Sequence, residues 1–179
     1  MKRIVFTLLL ALSTVIGVQG QKKAKDPVIQ NPGFDEPGSN GKYIEPWENR
    51  ALGKAPQITS NPIHDGVRGA KFPTSSDRVI YQEIYVKKNT DYVLTYYYTM
   101  NETGTGNMTM RILGQAIQKP SQVEGATIAS YVGTDQNDKQ EYVKVSVPFN
   151  SGKSKKIGIY GSNEGVESRV DSISITVVE

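Results

Sequence analysis

Arg78-Val79-Ile80-Tyr81-Gln82-Glu83-Ile84-Tyr85-Val86, the turn Lys87-Lys88-Asn89-Thr90, and Asp91-Tyr92-Val93-Leu94-Thr95-Tyr96-Tyr97-Tyr98-Thr99-Met100 form the passage that decides the fold class. In the first run Ile80, Ile84 and Val86 share one face, while Tyr81, Glu83 and Tyr85 share the other. In the last run Tyr92, Leu94, Tyr96 and Tyr98 alternate with Val93, Thr95, Tyr97 and Thr99. A period of two belongs to half-buried strands, so the passage predicts two strands paired through a short polar turn. Consecutive tyrosines in a strand point opposite ways, so Tyr96 and Tyr97 cannot both be core.

The same alternation recurs on either side. Met108, Met110 and Ile112 alternate with Thr109, Arg111 and Leu113, and a further strand is predicted over 127–132. From Glu141 to Phe149, Val143, Val145 and Val147 read inward, with Tyr142, Lys144 and Ser146 outward. Lys156 to Gly161 and Val170 to Val178 complete the series, while 57–60 and 67–72 are short strands bounded by Pro56, Pro62, Gly66 and Pro73. No helical period emerges. Eight to ten short strands separated by turn residues predict an all-β chain, an antiparallel β-sandwich of jelly-roll type. The stretch from Val28 to Lys54 is rich in Gly, Pro and Asn, with anchors at Phe34, Tyr43 and Trp47. It reads as a first short strand around Asn31-Pro32-Gly33-Phe34-Asp35 and a long ordered loop. A sandwich whose first and last strands meet brings Asp35, Glu36 and Asp171 within reach of one another.

Lys2 and Arg3 precede an apolar run from Ile4 to Ile16 and then Val18-Gln19-Gly20, the pattern of a cleavable secretory signal over 1–20. Residues 21–27 read as an exposed leader, and 28–179 as one sandwich domain. The apolar run is shorter than the roughly 20 residues of a membrane helix. With no cysteine for a lipid anchor or a disulfide, the expected location is secreted or periplasmic. Five of the 21 basic residues, Lys2, Arg3, Lys22, Lys23 and Lys25, lie before residue 26, so the rest of the chain is near neutral. Such a balance argues against nucleic-acid binding driven by phosphate contacts.

The order of Asn31-Pro32-Gly33-Phe34-Asp35, Gly66-Val67-Arg68-Gly69-Ala70-Lys71, Ile80-Tyr81-Gln82, Tyr92-Val93-Leu94-Thr95 and Val170-Asp171-Ser172-Ile173 resembles the galactose-binding-like jelly rolls. More narrowly, it resembles the carbohydrate-binding modules attached to bacterial polysaccharide-degrading enzymes. The resemblance spans residues 28–178 and implies recognition of an extracellular polysaccharide, alone or beside a secreted enzyme or cell-surface complex. It also implies a structural calcium held by the acid after the Gly-Phe step, Asp35, and the aspartate opening the last strand, Asp171. Glu36 would be a substitute ligand, and carbonyls near Arg68 would complete a shell of six to eight oxygens.

Sugars present apolar C–H faces rimmed by hydroxyls, so a protein meets them with exposed rings and hydrogen-bonding side chains. The outward sets supply candidates: Tyr81, Glu83, Tyr85, Tyr97, Arg111, Tyr142 and Tyr160, with Trp47 and Arg50 in the long loop as a wall. Two other readings stay open on the residues. The tyrosine face would serve equally in a structural or adhesive sandwich that contacts another protein. General-base chemistry at the single histidine, His64, would make the chain a small lyase, and paired carboxylates a hydrolase.

Overall fold

The computed structural model describes residues 26–74, 78–101, 105–134 and 139–178; the expected signal and most of the leader lie outside the described residues. Among the described residues nine strands form two antiparallel sheets. They are β1 Gln57–Thr59, β2 Gly69–Phe72, β3 Val79–Tyr85, β4 Asp91–Met100, β5 Asn107–Leu113, β6 Thr127–Gly133, β7 Val143–Asn150, β8 Lys156–Glu164 and β9 Ser168–Val177. One sheet runs β1-β2-β9-β4-β7 and the other β3-β8-β5-β6. A 3-10 turn at Pro120–Gln122 leads into the one-turn helix α1, Val123–Ala126. This is the jelly-roll sandwich expected. Among the described residues no helix is long and apolar enough to cross a membrane.

The core lies between the sheets, where alternation places Ile80 and Ile84 of β3, Tyr92 to Tyr98 of β4, Met108 to Ile112 of β5 and Ile157 and Ile159 of β8. The pairing of β3 with β4 is corrected. β3 pairs with β8, and β4 pairs with β7 and β9, so Lys87 to Thr90 crosses from one sheet to the other. Both strands carry a strongly apolar face, and opposing those faces across the core buries them more completely than edge pairing within one sheet. The Tyr92 hydroxyl accepts from the Lys87 amide at 2.9 Å and fixes the crossing.

The opening segment is also corrected. Residues 26–35 form no strand among the described residues. They nevertheless run beside the last strand: Ile173 donates its amide to the Pro32 carbonyl at 3.0 Å, and Val177 donates to Asp26 Oδ1 at 2.8 Å. β2 pairs with β9 only over residues 168–170, so beyond that point the opening segment occupies the flank that β2 leaves free. Pro27 and Pro32 lack the amide that a regular ladder needs, which explains why the alignment is not a strand.

Trp47 is likewise corrected from loop wall to core plug. It is 0% exposed, packs on Phe34 with ring centroids 5.7 Å apart, and donates its indole N–H to the Asn31 carbonyl at 2.8 Å. Asn31 closes the same corner, its side-chain amide donating to the carbonyls of Glu36, Tyr43 and Glu45. An indole of this size buries too much apolar area to be left outside. Trp47→Ala should therefore cost about 3–5 kcal/mol in urea unfolding. Trp47→Phe should cost about 1–2 kcal/mol through the lost donor. Unchanged midpoints in both variants would place the ring at the surface.

Candidate functional site

The nine side chains expected on one ligand surface fall in separate places. Glu83 and Tyr85 line a groove of 730 Å³ beside the free edge of β3, between residues 26–30, the 46–49 loop and the start of the sheet crossing. Tyr85 is 76% exposed and offers an uncovered ring. Glu83 is held from two sides: Lys156 lies 2.5 Å from Oε2, and the Tyr81 hydroxyl donates to Oε1 at 3.1 Å. The Lys156 ammonium also stands 5.3 Å from the Tyr85 ring centroid, and its bond to Glu83 holds it above its ordinary range. Gln30, Glu48, Asn49 and Lys87 complete a wall of donors and acceptors.

Tyr81 and Tyr160 point away from the sandwich core as expected, yet they are not exposed. They lie 4% and 7% exposed under the 114–126 segment, in a second apolar cluster with Leu52, Val79, Leu113, Ile117, Val123 and Ala126. Tyr81 accepts the Ile117 amide at 3.2 Å, and burial pushes its phenol up to about 12. Its proton is retained at neutral pH and is available to Glu83. Arg111 sits opposite Tyr160 in the β5–β8 register. Arg50 is exposed and engaged with Glu48, Nε to Oε1 at 2.9 Å, and this bond holds the Glu48 carboxyl below its usual range.

Tyr97 and Tyr142 meet at a different face, the outside of the five-stranded sheet, where His64 joins them. The imidazole stacks on Tyr97 with centroids 3.5 Å apart and meets Tyr142 edge-on at 5.7 Å. Its Nδ1 lies 3.0 Å from Ser172 Oγ, and the Tyr142 hydroxyl donates to the Pro62 carbonyl at 3.1 Å. These contacts cover one face of the Tyr97 ring. Ser172 had no signal in the alternation pattern, because it sits in a bulge: between Thr95–Ser174 and Tyr97–Asp171, β9 spends one residue more than β4. Ser172 takes φ 51 there, and a bulge of this kind turns neighbouring side chains to new directions.

Asp35 and Asp171 do come together, whereas Glu36 is exposed and lines another recess with Val28, Pro37 and Pro46. A methyl group on Gly33 would stand 3.2 Å from Asp35 Oδ2 and 3.6 Å from Asp171 Oδ1, so both carboxylates flank one glycine. Asp171 is 0% exposed. Its Oδ2 accepts the amides of His64 at 2.9 Å and Asp65 at 3.2 Å, and its Oδ1 that of Ser172 at 2.6 Å. Asp35 Oδ1 accepts the Val67 amide at 2.9 Å. Gly66, at φ 69, passes so near Asp35 that a Cβ there would lie 1.8 Å from Oδ2, and the left-handed backbone with this close approach favours glycine.

A hard cation takes six to eight oxygens. Among the described residues no group of three or more acidic, histidine or cysteine side chains is placed to hold a metal. The backbone groups aimed at these two carboxylates are N–H donors, which complement an anion and oppose a cation.

No family model matches the sequence, and no curated protein matches it. Solved structures do match. The module TmCBM61, solved in complex with beta-1,4-galactotriose, superposes with a TM-score of 0.59 at 14% identity, covering 87% of this chain and 100% of its own. The CBM22-1 xylan-binding domain of Paenibacillus barcinonensis Xyn10C gives 0.56 at 14% identity over 89% and 99%. A cyclase from Fischerella sp. TAU, in complex with 4-(1H-indol-3-yl)butan-2-one, gives 0.56 at 14% identity over 87% and 98%. At such identity the likeness establishes a shared jelly-roll fold, a fold that these proteins put to unlike uses.

Burial raises the Asp171 carboxyl above its ordinary 3.8, against the pull of the Asp65, His64 and Ser172 amides and of the His64 charge. The folded chain then holds this proton to higher pH than the unfolded chain. Its contribution to stability is fully present below 3.8 and is lost as pH rises through the folded value. Asp171→Asn removes the titration. The unfolding free energy of the wild type minus that of the variant should fall as pH rises above 3.8 in urea titrations. A difference that rises with pH would show the amides outweighing burial.

Proposed function

We propose that this chain is an exported, non-catalytic polysaccharide-binding domain whose sugar site is the groove along the free edge of β3. The observation that carries the proposal is Tyr85, an uncovered ring beside a carboxylate fixed by Tyr81 and Lys156. A flat ring stacks on the C–H face of a pyranose, while Glu83, Gln30 and Asn49 meet the hydroxyls at its edge. A carboxylate already oriented by two donors loses little freedom when a sugar hydroxyl donates to it. The groove volume of 730 Å³ lies in the range of small-ligand sites.

The fold shared with TmCBM61 and with the CBM22-1 xylan-binding domain supports the reading, since a galactotriose and a xylan ligand are named for those proteins. Export is supported by Lys2 and Arg3 ahead of the apolar run.

Affinity electrophoresis through gels containing neutral plant and microbial polysaccharides tests the site. Tyr85→Ala should weaken retention about three- to tenfold, the range of one aromatic stack, with an unchanged melting temperature. Equal retention of the variant would remove Tyr85 from the site. No retention of the wild type on any of these glycans would end the saccharide reading of this groove.

A further inference from the structure

The outer face of the β3-β8-β5-β6 sheet carries a second recess, of 450 Å³, which shares no lining residue with the groove beside Tyr85. Its floor is set by strand register. Arg111 lies opposite Tyr160, and two residues along the strands Thr109 lies opposite Ser162. Leu52, Gly53, Pro120 and Arg78 also line it.

The charges in this recess are unbalanced. Arg111 is half-buried and makes no ion pair among the described residues. Arg78 donates Nη1 to the Ala55 carbonyl at 2.5 Å, but its buried Nε has no hydrogen-bond partner. Glu164, exposed and opposite Asn107 in the register, is the one acid among the described residues of the lining. Two guanidiniums without a carboxylate partner on one recess reward a ligand that brings an anionic oxygen pair. A planar carboxylate matches the guanidinium fork better than a single acceptor does. Ser162 and the Tyr160 phenol add hydroxyls suited to a polyhydroxylated ligand, while the Thr109 hydroxyl donates to Asn107 Oδ1 at 2.9 Å.

We infer that this recess binds a uronate unit of an acidic polysaccharide, with the sugar carboxylate held between Arg78 and Arg111. The site lies on another face from the groove and takes a charged sugar where the groove takes a neutral one. That the carboxylate is carried on a sugar rests on the saccharide reading above; the demand for a carboxylate does not. Each site can therefore fail alone.

Calorimetric titration with trigalacturonate, with neutral galactotriose and with sodium sulfate decides the matter. The wild type should bind trigalacturonate at least about tenfold more tightly than galactotriose at low salt, and the preference should shrink as salt rises. That comparison needs no variant. Arg111→Gln should abolish the preference and Arg78→Gln should reduce it, while Tyr85→Ala leaves it intact. Equal affinity for the charged and neutral trisaccharides, or an unchanged preference in Arg111→Gln, overturns the site. Displacement of trigalacturonate by an equal concentration of sulfate would show a response to charge alone and overturns it as well. Loss of galactotriose binding in Tyr85→Ala without any uronate preference in the wild type would sink this site and leave the groove standing. Arg111-dependent uronate binding without galactotriose binding would do the reverse.

Discussion

The buried carboxylate of Asp171 is the constraint on which the arrangement of this chain depends. Three main-chain amides point at it, two from the β1–β2 loop at His64 and Asp65 and one from Ser172 in the bulge of β9. A carboxylate taken out of water needs such donors, and removing them would leave an unpaired buried charge. The bulge that brings Ser172 round also turns the Ile173 amide outward to the Pro32 carbonyl. One acid thus ties together the closing strand, the opening segment and the loop that carries His64 onto Tyr97. The opening segment passes the constraint on to the second sheet. Gln82 faces the core between Ile80 and Ile84, where an unpaired amide would be costly, and it exchanges two hydrogen bonds with the main chain of Gln30, both under 3 Å. The edge of β3 is closed there and open beyond, which leaves the groove beside Glu83 and Tyr85.

Period two told which way each strand residue points, and the inward residues of β4, β5, β7 and β8 lie where alternation put them. It did not tell what lies over the outward face. Tyr81, Tyr85 and Tyr160 all point outward, yet only Tyr85 is uncovered. The difference comes from the 114–126 segment, which carries just Ile117, Val123 and Ala126 as apolar contacts and has no periodicity to announce it as a lid. Coverage of a sheet face is a tertiary property, set by where a connection of irregular sequence comes to rest. The same holds for Trp47, whose loop context gave no sign that Asn31 would accept its indole proton.

Strand pairing was less legible than strand existence. A four-residue polar link between two alternating strands suits a hairpin, and it suits a crossing between sheets as well, because both place the apolar faces toward a shared core. What separates the two is competition for partners. β4 is the longest strand together with β9, and it finds a better match in β7 and β9, along both of its edges, than β3 offers on one. The meeting of the termini was legible because it needs only an antiparallel sandwich and two ends rich in small and acidic residues. The form it takes, amide donors around a carboxylate, depends on backbone direction within the 64–67 loop, to which side-chain identity is nearly blind.

Both proposed sites are shallow and built from few groups, and this bears on how such a domain holds a polymer. One aromatic stack contributes about 0.5–1.5 kcal/mol, and solvent-facing hydrogen bonds to hydroxyls add about as much each. A single subsite of this kind therefore releases its sugar readily. Two subsites on one rigid sandwich change the arithmetic without deepening either, because once a chain is held at one of them the other sees it at a high effective concentration. The stiffness that this requires comes from the closed ends of the sandwich. If the Ile173–Pro32 and Val177–Asp26 bonds were lost, the opening segment would be freed from β9, and the wall of the Tyr85 groove formed by residues 26–30 would go with it. The bulge of β9, by aiming the Ile173 amide at Pro32, thereby bears on a binding surface that it does not touch.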